Sequence, residues 1–184
     1  MTTYEIAHAI LTEIDRVLRG VDDAEVQALR EAILGARRVI VHGLGREGLV
    51  MRSFAMRLMH LGLPVAVVGD MSTPPAGPGD LFLLSCGPGY LATVEALMRV
   101  AQKAGARVAM LTAQPQAALP QQADVRVYLP AQTMAESEGS SSTQAMGSAF
   151  EQAMWILFDA LVSELQAVTG QTAADLRDRH TNLE

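Results

Sequence analysis

An α/β fold, a parallel sheet doubly wound with helices, is what this 184-residue sequence predicts, and three observations predict it. Five short apolar runs, at residues 39–41, 64–68, 81–85, 107–112 and 125–129, are the length of strands, and the first is a block of β-branched residues suited to burial on both faces. Helical patterns between most of them supply the crossovers that parallel strands need. Two of the runs end on glycine turns, Gly43-Leu44-Gly45 and Gly87-Pro88-Gly89, that lead straight into a helix.

In chain order, residues 4–18 carry Ile6, Ile10, Ile14 and Leu18 at four-residue steps, one helical stripe stopped by Gly20. Asp22 and Glu25 have the spacing of a capping box for a second helix over 24–34, ended by Gly35. Two amphipathic helices placed before the first strand are expected to pack partly against another subunit. Strand one, 39–41, runs into the Gly43–Gly45 turn and a helix over 47–60 whose Val50, Phe54, Leu58 and Leu61 face the sheet. This turn aims free backbone N–H groups at the carboxyl end of the strand, and Arg46 adds a planar fork of donors; together they suit an anion. Gly48 falls near the third glycine of a dinucleotide fingerprint and Asp70 is the first acid beyond the next strand, so a dinucleotide reading stays open at this point.

After strand two, residues 71–80 hold three prolines and two glycines and read as a loop. Strand three, 81–85, repeats the plan with Cys86-Gly87-Pro88-Gly89-Tyr90 and a helix over 91–104. Strand four follows, then at most one helical turn at 116–119, then strand five. Residues 131–146, with Ser140, Ser141 and Ser142, read as an exposed loop. The helix at 148–168 is apolar round most of its circumference, and Glu151, Gln152, Asp159, Ser163 and Gln166 share one polar arc. Glu151 sits at the edge of that arc beside Trp155 and Phe158, where a carboxylate loses water and gains basicity, as a general base requires; the alternative is an ordinary polar-face glutamate. The chain finishes in a short helix and a polar tail containing His180.

Composition narrows the function. A formal charge of -6 and the lack of any Lys/Arg run argue against a nucleic-acid surface. Apolar residues make up 49% against 18% charged, so much of that surface is expected to be buried, part of it between subunits. Cys86 is the single cysteine, which excludes an internal disulfide, and no Cys/His cluster has metal spacing. Glu5, Glu13 and Asp15 interrupt the apolar pattern of the first helix, unlike a signal peptide, and no uncharged run reaches membrane-spanning length. The expectation is one cytoplasmic domain over 1–184: leading helices 1–36, an α/β core 37–170 and a tail 171–184.

The turn Gly43-x-Gly45-Arg46, the stretch Phe54-Ala55-Met56-Arg57-Leu58-Met59-His60-Leu61-Gly62, Gly147-x-x-Phe150-Glu151 and the ending Arg179-His180-x-Asn182-Leu183-Glu184 resemble the 6-phospho-3-hexuloisomerases of the sugar isomerase (SIS) domain superfamily. The resemblance spans almost the whole chain. It implies a five-stranded parallel sheet in a three-layer sandwich, a homotetramer (a dimer being the alternative) with sites at subunit borders, and conversion of a 3-ketohexose 6-phosphate to fructose 6-phosphate without metal or organic cofactor. It also implies roles: Glu151 moves the proton between C2 and C3 through a cis-enediol, His180 moves protons between the oxygens, and a tail carrying His180 contributes to the site. Substrate would meet Gly43, Gly45, Arg46, Glu47, Ser85, Cys86, Gly87, Gly89 and Thr93.

Two departures bear on the phosphate. Relatives typically have serine where this chain has Glu47, and their Ser-Gly-Ser-Gly-x-Thr turn becomes Cys86-Gly87-Pro88-Gly89-Tyr90-Leu91, so a proline replaces the second serine, a leucine the threonine, and hydroxyl donors to phosphate are lost. Ser85, Thr93 and Ser72 are the available substitutes. Two functional classes follow: an isomerase, or an SIS-fold module that binds a less anionic carbohydrate derivative. Among the other histidines, His42 ends strand one at the ligand edge and is a second candidate; His60 closes its helix, where the dipole favours a cation; His8 carries no signal. Cys86 is expected to pack rather than react.

Overall fold

The computed structural model of the protein describes residues 1–135 and 142–183. Two helices come first, α1 (Thr3–Arg19) and α2 (Asp23–Leu34), followed by β1 (Arg38–His42), α3 (Gly45–His60) and β2 (Val65–Val67). A long loop leads to β3 (Asp80–Ser85), α4 (Ala92–Lys103), β4 (Arg107–Thr112), a 3₁₀ turn at Pro120–Gln122, β5 (Val125–Tyr128), α5 (Ser148–Thr169) and α6 (Ala173–Asp178). The five strands form one parallel sheet in the order β2-β1-β3-β4-β5.

Alternation along the strands divides the core in two. Val39, Val41, Leu81, Leu83, Ala109, Leu111 and Val127 point to the face covered by α1, α2, α3 and α5. Ile40, Phe82, Leu84, Val108 and Met110 point to the other face, where α4 contributes Val94 and Met98. With both faces covered, strand β3 is buried at every position, which is why it reads as a continuous apolar run. The helix face expected from Val50, Phe54, Leu58 and Leu61 is buried, and α5 lays Phe158 on Phe54 with ring centroids 4.0 Å apart. Gly170, at φ 67°, ends α5 in the left-handed conformation that glycine tolerates best.

Local expectations fail where a tertiary partner competes. Asp22 caps α2 by accepting from Ala24 N, but Glu25 does not close a capping box. Its carboxylate accepts instead from Tyr128 N of the edge strand β5 at 2.7 Å. The helical turn expected at 116–119 is shifted, the 3₁₀ helix starting at Pro120, whose fixed φ suits a first helical position. Of the serine-rich loop, Ser140 and Ser141 lie outside the described residues.

At the amino ends of the strands, Asp80 is fully buried and accepts hydrogen bonds from Arg37, from Arg38 at 2.8 Å and from Gly77 N at 3.0 Å. Burial opposes its ionisation, yet the two guanidiniums outweigh it and hold the carboxyl below the usual aspartate range. This ties β1, β3 and the loop between β2 and β3 together, leaving the opposite, carboxyl edge for chemistry.

Candidate active site

The strand order reverses between β1 and β3: the chain leaves β1 toward β2 on one side and returns to β3 on the other. In such sheets ligands enter the crevice above the carboxyl ends at that switch point. Both strands end there in the predicted glycine turns. Gly45 adopts φ 55°, and a Cβ on Gly48 would lie 2.5 Å from Gly43 O, so the three glycines let the start of α3 press against the turn. Leu44 at the N-cap supplies no side-chain acceptor, so the first N–H groups of α3 remain available to another acceptor. Asp70, the acid that a dinucleotide site would use, pairs with Arg52 at 3.2 Å.

Glu151, on the first turn of α5, faces this crevice and its side chain is 15% exposed. Arg46 Nε lies 2.8 Å from Glu151 Oε2, and Arg46 Nη1 reaches Ser148 Oγ at 3.4 Å. Despite that ion pair, Oε2 accepts no hydrogen bond among the described residues. Burial raises the Glu151 pKa and the Arg46 charge only partly opposes it, the condition of a base that holds its proton more tightly than a surface glutamate. The expected desolvation is thus present, although its source differs: Phe158 is buried in the core, whereas Trp155 is 44% exposed.

Glu47 does not sit beside Arg46 as a second charge competing for the same ligand. Its side chain crosses the crevice to the end of β3, where Ser85 Oγ donates a short hydrogen bond to it and Gly87 N donates at 3.1 Å. Burial raises its pKa, the Ser85 and Gly87 hydrogen bonds partly offset this, and the charge of Glu151 raises it further. Gly87 has no room for a side chain: a Cβ there would lie 2.9 Å from Glu47 Oε1 and 3.0 Å from Phe150 Cδ1. Gly89, at φ 80°, packs on Gln114. Cys86 is fully buried and its thiol is pushed up to about 12, by burial first and by the Glu47 charge second, so it packs rather than reacts. Thr93 stands exposed in the first turn of α4. His42 closes β1 with its Nε2 buried and unpartnered among the described residues, and burial favours its neutral form.

His180 is elsewhere. Its ring stacks on His60 at 5.3 Å, and the adjoining Arg179 donates to His60 O at 3.0 Å and to Gln171 at 2.7 Å. His60 ends α3 and Arg46 begins it, so roughly 20 Å of helix separate His180 from Glu151 within one chain. The tail is anchored by Leu176 and Arg179, whereas Leu183 is 92% exposed.

Sequence reasoning passed over Ser148 and the apolar wall next to Glu151. A groove of about 400 Å³ runs from Arg46 and Glu151 between Ile10 and Leu11 of α1, Leu49 of α3, and Trp155 and Ile156 of α5. Ser148 was findable, since it lies three residues from Glu151 on one helix face. The groove was not, because it needs three helices brought together. Among the described residues no cluster of three or more His, Cys, Asp or Glu is placed to hold a metal ion, and no helix is long and apolar enough to cross a membrane.

Comparison with known proteins agrees with this geometry. The SIS domain family model matches residues 32–156. The chain is 42% identical to the 3-hexulose-6-phosphate isomerase of Mycobacterium gastri, over 89% of this chain and 82% of that protein. It is 35% identical to the 3-hexulose-6-phosphate isomerase of Bacillus subtilis, over the full length of both. A crystal structure from Methanococcus jannaschii, inferred to be a 3-hexulose-6-phosphate isomerase, superposes with a TM-score of 0.84 at 26% identity, covering 98% of this chain and 99% of the other.

Proposed function

The chain belongs to the SIS domain family, and from that membership we propose that it is an isomerase converting 3-hexulose 6-phosphate to fructose 6-phosphate. The observation that carries the chemistry is the Glu151 carboxylate, desolvated and held by Arg46 at the strand ends. In this reading Glu151 takes the proton from C2 of the 3-ketose. Electrons then shift to the C3 oxygen, which gains a proton, giving a cis-enediol. The same carboxyl returns its proton to C3 as the C2 hydroxyl loses its own, leaving the ketone at C2. No electrons leave the sugar, so no redox partner is consumed. Arg46, whose guanidinium reaches the crevice from the start of α3, and the uncapped N–H groups beside it supply positive potential for the anionic substrate. The defining assay is formation of fructose 6-phosphate from 3-hexulose 6-phosphate by purified protein; none at high enzyme concentration would end the isomerase reading in favour of a binding module.

The enediol step also needs a group to move protons between the two oxygens. His180 suits it chemically, since an imidazole can both give and accept a proton through its two ring nitrogens, but it lies a helix length from its own Glu151. We assign it to the site of a second copy of the chain, consistent with the apolar groove next to Glu151 and with exposed Leu11, Leu49, Trp155 and Ile156 around it. Sedimentation should therefore show an oligomer, a tetramer in the family's pattern. Glu151→Gln and His180→Ala proteins, each nearly inactive alone, should regain turnover when unfolded and refolded together, because mixed assemblies contain some sites with both residues intact. Absence of recovery in a verified mixed oligomer would remove His180 from the site.

A further inference from the structure

We infer that Glu47 is a tethered anion that occupies the anion-binding turn at the end of β3, so that a phosphorylated ligand binds there in competition with the protein's own carboxylate. The inference rests on the sugar-phosphate reading and adds a residue that sets its specificity. Glu47 leaves α3, on one side of the switch point, and accepts from both donors offered on the other, the Ser85 hydroxyl and the Gly87 amide. Those are the groups a phosphate oxygen would use. The turn has little else to give: Pro88 has no N–H, and the Gly89 amide already donates to Cys86 O at 3.0 Å. The fit is also steric, because the absence of a Cβ at Gly87 is what admits the Glu47 oxygen.

Several groups bear on the charge of Glu47. Glu151, from α5, repels it; Arg46, its neighbour on α3, is engaged with Glu151; and the Cys86 thiol from the β3 turn stays neutral. Glu47 is therefore a part-buried anion stabilised mainly by neutral donors. An incoming phosphate adds a second anion to the same turn, which favours a neutral Glu47. Affinity for phosphate esters should consequently rise as the pH falls toward the range in which Glu47 takes up a proton, whereas affinity for the unphosphorylated sugar should not. A serine at this position would leave the turn open at every pH.

The test measures fructose 6-phosphate binding by calorimetry between pH 8.5 and 6.5 for wild type, Glu47→Ser and Glu47→Gln, with thermal melts to establish folding. Glu47→Ser empties the turn, and Glu47→Gln keeps its shape while removing the charge. Both are expected to bind more tightly at pH 8.5, by about 10- to 100-fold, the equivalent of one charge-assisted hydrogen bond regained. Both should also lose the part of the pH dependence that wild type shows beyond that of the phosphate itself. If all three proteins bind the ester alike across this range, Glu47 does not compete for it and the inference fails while the sugar-phosphate reading stands. If none binds fructose 6-phosphate, that reading fails and takes the inference with it. Should Glu47→Ser unfold, Glu47→Gln alone decides between the same outcomes.

Discussion

Glu151→Gln is expected to lower turnover by roughly 10²- to 10⁴-fold, the usual contribution of a general base, with KM changed far less. The substitution keeps the side-chain shape beside Arg46 and removes only the ability to take a proton from carbon. Folding should not suffer. A carboxyl whose pKa is raised by folding penalises the native state once pH exceeds its unfolded value, so removing the charge is neutral or stabilising near pH 7. The pH profile gives an independent reading. Activity should rise with pH as Glu151 ionises, with a midpoint above the ordinary glutamate range because burial holds the proton. Arg46→Met should move this limb to higher pH still, since the guanidinium is the group opposing burial. An unchanged acidic limb in that variant would mean that another group limits the rate.

Asp80→Asn is expected to cost about 3 kcal/mol of stability, the lower end for breaking a buried ion pair, because Arg37 remains largely exposed while Arg38 keeps little access to water. Urea unfolding at pH 7 measures this directly. The direction with pH follows from the depressed pKa: Asp80 binds its proton less readily folded than unfolded, so its contribution is complete above about pH 4 and disappears as pH falls through the folded value. Wild type and variant should therefore converge in acid. A gap that persists at low pH would assign the loss to packing rather than to charge.

Much of this fold was legible because its signals are local. The block Val39-Ile40-Val41 and the spacing of Val50, Phe54, Leu58 and Leu61 report burial through periods of two and three to four, and the structure buries each of these residues. Gly43, Gly45 and Gly48 were readable for the same reason, a turn being a contact between near neighbours. Glu25 and Glu47 show where such reading stops. Each lies three residues or fewer from a plausible local role, as a box partner for Asp22 or a charge beside Arg46, yet each accepts instead from a donor on a strand far along the chain. Glu151 stands out as a candidate in the sequence because its helix wheel places it at a polar–apolar border, but its partnership with Arg46 is a contact between α3 and α5 that no spacing encodes. His180 was assigned by resemblance alone, and the single chain holds it on His60 instead.

The Glu25 contact has a consequence for solubility. A strand at the margin of a sheet carries backbone donors that face outward, and such a row is a template on which another chain can add its own strand. Strand β5 is at that margin, and the Glu25 carboxylate accepts its Tyr128 N–H while α2 lies alongside. The leading helix thus works as a guard rail: its carboxylate satisfies an outward-facing amide on which a foreign strand would otherwise pair.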